Sequence, residues 1–441
     1  MDKLYVGYAR ESFLPDKPVS MAGSGNDAHR VSTESRTDMC ATCIAFTQGE
    51  NTVLLYSTDT LAARTWWTEE ARNLIFEATG VPQTNIQIGG THCHSGPSVG
   101  WEQCEGILAW KPKYMTALVE AAKKALADRA PGKLFCKRVE TDRMNFARHY
   151  IMADGSYAGS NFGDRTKGFV KHVGEPDKEI QLVKICREGE KKDILMMNFQ
   201  VHPCQVRRGE YTLLHADFIG ETRTILEEKT GMDFIYFTGA AGNMTSTSSI
   251  KGETRDTDVW VYSELLSNYV LEALPEITEP LADGPVRACQ KIVEYKSNDY
   301  GKDRLDDARL VTEMFGKTGD ATASSAYAKE LGFHSVYECT GIVNCSRYEP
   351  TQLMELNVVG IGDLGFVAAS YEMFSQSGLA IKAGSPFPMT FISTCTNGYN
   401  AYFPTRDAYV YGCYESFTAR FASGVAEDTV DAFVEMLKSI R

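Results

Sequence analysis

The sequence predicts an α/β fold: a mixed β-sheet core with helices packed on it, in a single large domain. Three observations predict it. Short apolar runs alternate with amphipathic segments along the whole chain, as strands covered by helices do. At least five of these runs end in a polar residue with ligand or catalytic chemistry, namely Asp59, His92, His202, Asn243 and Glu372. In open α/β sheets, sites gather at the carboxyl ends of strands. Finally, no repeat, low-complexity tract or clear linker divides residues 1–441.

Taken in order, residues 40–47 and 53–58 read as strands around the polar turn Gln48-Gly49-Glu50-Asn51. A helix follows, with Thr68 as N-cap and Gly80 closing it. The strand 86–90 precedes a helix over 112–129, whose stripe is Met115, Leu118, Val119, Ala122, Ala125 and Leu126. Residues 134–150 read as strand, then 180–186 and 194–201 as two more. A helix over 217–230, a strand over 234–238, a helix near 257–274 and a strand near 285–295 follow. Residues 296–335 are charged and helix-prone, a helical excursion from the sheet. Strands near 353–360, 364–370 and 389–395, a helix over 373–382 and a last helix over 426–440 complete the chain.

The formal net charge is -13, which disfavours nucleic acid as a partner, because phosphate binding needs a basic face. No apolar run is long enough to span a membrane. The start, Met1-Asp2-Lys3-Leu4-Tyr5, does not read as a secretory signal. The twelve Cys are scattered, and the lone pair Cys40/Cys43 lacks the second pair that structural zinc uses. They read as reduced thiols in a cytoplasmic protein.

The stretch Thr91-His92-Cys93-His94-Ser95-Gly96-Pro97 follows a strand. Side chains at i and i+2 of a strand share a face only while the chain stays extended, and alternate residues leave at once if it turns. Two imidazoles at the mouth of one site therefore depend on how the chain bends, and Ser95-Gly96-Pro97 is turn chemistry. A surface loop with two solvated His is the other reading. His92, His202 and Glu372 are each the first ionisable residue after a buried run, and imidazole plus carboxylate is the ligand set of catalytic zinc. Singly, each also reads as structural: His202-Pro203 as a strand-end His bonded to backbone, Glu372 as a charge at a helix start.

These stretches carry a resemblance. Thr91 to Pro97 resembles the THTHSGP signature of the neutral/alkaline (non-lysosomal) ceramidase family, with Cys93 in place of Thr. Phe199-Gln200-Val201-His202-Pro203 resembles its second-His motif, and Gly239-Ala240-Ala241-Gly242-Asn243 its GAAGD segment. Tyr371-Glu372-Met373-Phe374, Thr396-Asn397-Gly398-Tyr399 through Tyr402, and Tyr414-Glu415 are similar to later motifs of its catalytic domain. They run collinearly along nearly the whole chain.

The resemblance implies a zinc-dependent hydrolase that cleaves an amide (N-acyl) bond with metal-activated water. It implies Zn2+ held by His92, His202, Glu372 and Tyr402, and His94, Arg148 and Tyr414 in contact with the scissile amide of a small-molecule N-acyl substrate, lipid-like in that family. There are departures: Asn243 and Thr245 stand where the family has aspartate and, in some members, serine, and the chain stops before the immunoglobulin-like domain of the longer enzymes. Two rival readings follow from them, a non-catalytic metal- or ligand-binding protein on the same fold, and an esterase or metal-independent hydrolase using Thr245. Trp66, Trp67 and Trp101 are candidates for a pocket wall or for packing, Asp59 for orienting a ligand imidazole or capping a turn, and His215 with Asp217 for the site or a helix start.

Overall fold

The computed structural model describes residues 3–25, 27–256 and 258–441. Its large mixed sheet contains β1 (Tyr5–Ser12), β2 (Cys40–Gln48), β3 (Asn51–Thr58), β4 (Ile86–Gly90), β5 (Ala130–Glu140), β6 (Glu179–Arg187), β7 (Ile194–Phe199) and β8 (Asp233–Thr238). They lie in the order β8-β7-β6-β5-β1-β2-β3-β4, with β9 (Glu279–Leu281) also paired to β5. A second sheet contains β10 (Val286–Lys296), β11 (Thr351–Ile361), β12 (Leu364–Ala368) and β13 (Met389–Ser393), in that order. Within the two sheets the parallel pairs are β3/β4, β7/β8 and β12/β13.

The expected mixed sheet core is thus two sheets, packed face to face. Val6, Ile44, Leu55 and Phe237 of the large sheet share one apolar layer with Phe366 and Phe391 of the small one. On the outer face of the large sheet lie α1 (Thr65–Thr79) and α2 (Ile107–Ala127), through Trp67, Trp110 and Tyr114, and further along α3 (Asp217–Thr230) and α4 (Val259–Ala273). Between β10 and β11 come α5 (Leu305–Thr318), α6 (Ala321–Glu330) and α7 (Val336–Cys345), which share a small core of their own around Val311, Phe315 and Ile342. The outer face of the small sheet carries α8 (Ser375–Gly384) and α9 (Val425–Ile440). The result is a sandwich of four layers, helix, sheet, sheet, helix.

This layering explains why the strands read as unbroken apolar runs. In β3, Leu54 faces the helices and Leu55 the opposite sheet; in β7, Leu195 and Met197 face helices while Ile194 and Met196 face the sheet. A strand covered on both faces shows no alternation. Several boundaries differ from expectation, helix α2 among them, which runs Ile107–Ala127 where 112–129 was expected. Helix α1 starts at Thr65, ahead of Thr68, though Gly80 does close it in the left-handed region at φ 75°. The strand expected over 134–150 stops at Glu140, and separate short strands cover Phe146–Ala147 and His149–Met152.

Candidate metal centre and active-site cavity

The carboxyl ends of the parallel strand pairs meet. His92 follows β4, His202 follows β7 and Glu372 follows β12, so donors from both sheets reach one point. His92 Nε2 and His202 Nε2 are 3.2 Å apart, and each lies 3.2 Å from Glu372 Oε2. His94 Nε2 lies 3.4 Å from His92 Nε2. All four side chains are at least nine-tenths buried.

The backbone brings both imidazoles of the His loop to this point. His92 has φ 64°, in the left-handed region, so the chain bends at His92 itself, ahead of Ser95-Gly96-Pro97. Even with that bend between them, the His94 ring reaches the same point as His92, their Nε2 atoms 3.4 Å apart. Cys395, Asn397 and Ala401, in the loops after β13, also take positive φ. Residues in this sparsely populated region cluster where function constrains the chain.

Each ring has its outer nitrogen committed. His202 Nδ1 donates to Ala241 O at 2.7 Å, His94 Nδ1 to Gly23 O at 2.8 Å and His92 Nδ1 to Leu61 O at 3.2 Å. A carbonyl only accepts, so every Nδ1 carries a proton, and His94 and His202 direct a lone pair from Nε2 inward. Burial pushes the His92 ring down, but the Glu372 carboxylate and Cys395 outweigh it and hold it well above the usual imidazole range, so its Nε2 carries a proton that a cation there would replace. Burial, reinforced by the neighbouring His92 and His202 rings, holds His94 well below the usual imidazole range; burial and the Arg148 charge bring His202 down to about 4. Burial pushes the Glu372 carboxyl up, but the adjoining His92 and His202 outweigh it and hold it well below the usual carboxylate range.

Convergent lone pairs facing a carboxylate fit a divalent cation. Glu372 Oε1 accepts the Tyr399 hydroxyl at 2.6 Å, whereas the buried Oε2 has no hydrogen bond. The 3.2 Å triangle of His92, His202 and Glu372 matches a face of a tetrahedron with zinc bonds of ~2.0–2.1 Å, whose edges are ~3.3 Å. The donor set and its spacing fit zinc, and the His94 donor nitrogen lies within 4.8 Å of those of His92 and His202.

A cavity of about 440 Å³ opens beside these donors, with Arg64, Trp101, Arg148, Tyr337, Tyr402 and Tyr414 in its wall. A two-residue parallel bridge pairs Glu372 with Tyr402 and places that tyrosine beside the Glu372 residue. The Tyr402 and Tyr414 rings stand 5.5 Å apart. Burial pushes both phenols up, so both are protonated donors near neutral pH. Arg148 Nη1 lies 3.5 Å from His202 Nε2, while Nε and Nη2 reach Glu415 Oε1 at 2.7 and 2.6 Å. His149 completes this network, Nε2 to Glu415 Oε2 at 2.8 Å and Nδ1 to the Tyr411 hydroxyl at 2.8 Å.

The structure thus brings His92, His94, His202, Glu372, Arg148, Tyr402 and Tyr414 together, His92 being the one of these that does not line the cavity itself. Sequence reasoning met Tyr399 only as the neighbour that leaves the register of Tyr402 open, not as the residue that holds Glu372, and it gave no role to Glu415 and His149, which hold Arg148. Tyr399 lies within the segment from Thr396 to Tyr402, and Glu415 directly follows Tyr414, so proximity in sequence was their only signal.

Other candidates have structural partners. Asp59 pairs with Arg223 at 2.7 Å and accepts Cys40 N–H, and it orients no imidazole. Asp217 accepts backbone N–H from Val206 and Phe218, and His215 pairs with Glu221 at 3.1 Å. Asn243 accepts Ser375 N–H at the start of α8 and bonds Gln376. Thr245 lines the cavity with its hydroxyl 3.3 Å from that of Thr247. Trp67 is core and Trp66 is exposed, whereas Trp101 joins the cavity wall.

Two solved structures share the fold. The neutral ceramidase from Pseudomonas aeruginosa is 15% identical, with a TM-score of 0.75, over 99% of this chain and 74% of that one. A ceramidase complexed with C2 is 14% identical, with a TM-score of 0.73, over 100% of this chain and 76% of that one. No family model matches the chain, and no curated protein matches it in sequence.

Proposed function

Starting from the neutral ceramidase fold that this chain shares, we propose that it is a zinc-dependent hydrolase that cleaves an amide (N-acyl) bond. The observation that carries the reading is the 3.2 Å triangle of His92, His202 and Glu372 with every Nδ1 committed to a carbonyl or, at Glu372, one oxygen left unbonded. In this reading those three residues hold the metal and Tyr402 adds an oxygen ligand. When bound, zinc supplies a Lewis acid and lowers the pKa of water toward ~7.

The chain's own groups do the rest. Tyr414, a buried phenol, donates to the scissile carbonyl oxygen as charge develops there, an effect typically worth ~3 kcal/mol per donor. Arg148, held rigid by Glu415, orients the amide. His94, with its Nε2 lone pair facing the site, carries a proton to the leaving nitrogen. Hydrolysis breaks the C–N bond, water supplying the new C–O bond and the proton that leaves on the amine. Twelve free cysteines, all buried or half-buried, support a reducing compartment, and we place the enzyme in the cytoplasm.

The test is metal content together with turnover of an N-acyl panel that includes ceramide. About one zinc per chain, lost in His92→Ala along with hydrolysis, is the expected result. Hydrolysis that survives in metal-free protein would overturn the reading.

A further inference from the structure

The cavity wall is cationic and nearly free of aliphatic side chains. Among the described residues that line it, Leu61 and Val99 are the branched aliphatic ones. A long acyl tail needs a groove of such side chains, because its burial is driven by apolar area. Four arginines line the cavity instead: Arg64, Arg148, Arg165 and Arg207.

Their charges are only partly balanced. Arg148 is matched by Glu415. Arg64 and Arg207 have no carboxylate within 4.0 Å among the described residues. The Arg64 guanidinium stacks 3.8 Å from the Trp101 ring centroid and 5.7 Å from that of Tyr399, the residue that holds Glu372. A stacked guanidinium keeps its N–H edge free for a planar anion. Behind the wall lies Arg30, fully buried, which donates to the carbonyls of Tyr211, Ala22 and His94 and leaves Nη2 without a partner. Burial, with the Arg207 charge second, brings Arg30 down to about 10, so it stays charged at neutral pH. The acids on the cavity are Glu372, among the metal donors, and Asp27, which accepts the Ser98 hydroxyl at 2.5 Å. A positive cavity in a chain of net charge -13 is a local feature that concentrates anions.

We infer that the substrate is a small N-acyl compound bearing an anionic group, carboxylate or phosphate, received by Arg64 and Arg207. The inference rests on the hydrolase reading of the same site for its N-acyl part and on the arginines for its charge.

Calorimetry on the zinc-loaded full chain tests it. The probes are N-acetyl-γ-aminobutyrate against its methyl ester, and N-acetylethanolamine phosphate against N-acetylethanolamine. At least one anion should bind about tenfold or more tighter than its neutral counterpart, as charge-assisted bonds do; which pair shows the ratio separates carboxylate from phosphate. The ratio should fall toward unity in Arg64→Gln/Arg207→Gln, with zinc content retained. Equal affinities, or a ratio that survives both substitutions because the anion sits on the metal, would overturn the inference. Turnover is scored separately. Ceramide hydrolysis without a charge ratio leaves the hydrolase reading standing and ends this one; a charge ratio with no N-acyl bond cleaved ends the hydrolase reading and keeps the anion site.

Discussion

Arg148 and Glu415 form a buried pair in which Nε and Nη2 of the guanidinium share a single carboxylate oxygen, at 2.7 and 2.6 Å. Removing one partner of such a pair leaves an uncompensated charge, which typically costs about 3–5 kcal/mol. Glu415→Gln should therefore lower the unfolding free energy by about that much in urea, and turnover should drop while zinc content holds. A variant as stable as the parent would show that Arg148 is solvated well enough without its partner.

The same pair sets an acid dependence. Burial pushes the Glu415 carboxyl up, but His149 and Arg148 outweigh it and bring it down to about 2, from an ordinary 4.5. A depressed folded pKa contributes stability that is present above the unfolded value and lost as pH falls toward the folded one. The stability gap between parent and Glu415→Gln should be flat above pH ~5 and should shrink as pH falls from 4.5 toward 2. A gap independent of pH across that window would mean the carboxylate is not the source.

Metal retention should divide the site residues. His202→Ala and Glu372→Gln each remove a corner of the donor triangle, and both should lose zinc and activity together. Removing zinc from the parent with a chelator should abolish hydrolysis, and adding it back should restore it. Activity that persists through chelation would favour the Thr245 hydrolase instead.

The two cavity tyrosines should behave differently. Tyr414→Phe should keep its metal and lose ~3 kcal/mol of transition-state stabilisation, about a hundredfold in kcat. Tyr402→Phe should weaken zinc retention in competition with a chelator. The opposite division would exchange their roles.

Gly23 has φ 99°, and a Cβ there would stand 2.5 Å from His94 Nδ1. Gly23→Ala should displace the His94 ring from its carbonyl partner, with turnover falling much more than zinc content. Unchanged turnover would show that the loop absorbs the methyl group.

The strand ends were legible because a run buried on both faces gives way to ionisable residues just past its end, as at His202 and Glu372. The second sheet was not, since Leu54 and Leu55 look alike whether their cover is helix or sheet. Whether His92 and His94 share a site turned on where the chain bends, and the bend falls on His92 itself, ahead of the turn residues Ser95-Gly96-Pro97 that were visible in sequence. Glu415 was hidden because its partner lies 267 residues away, beyond any local spacing. Arg64 and Arg207 gave no signal either, as an arginine without a partner looks in sequence like any other.

The donor triangle also has a mechanical meaning. His92 and His202 hang from the large sheet and Glu372 from the small one, so a cation held by all three is a rivet through the sandwich. It closes a seam that otherwise rests on apolar contact between the sheets. Binding to the folded form alone raises stability by mass action, so the zinc concentration at hand should set the melting temperature of the whole molecule. The seam between the two sheets is then where the emptied protein should begin to open.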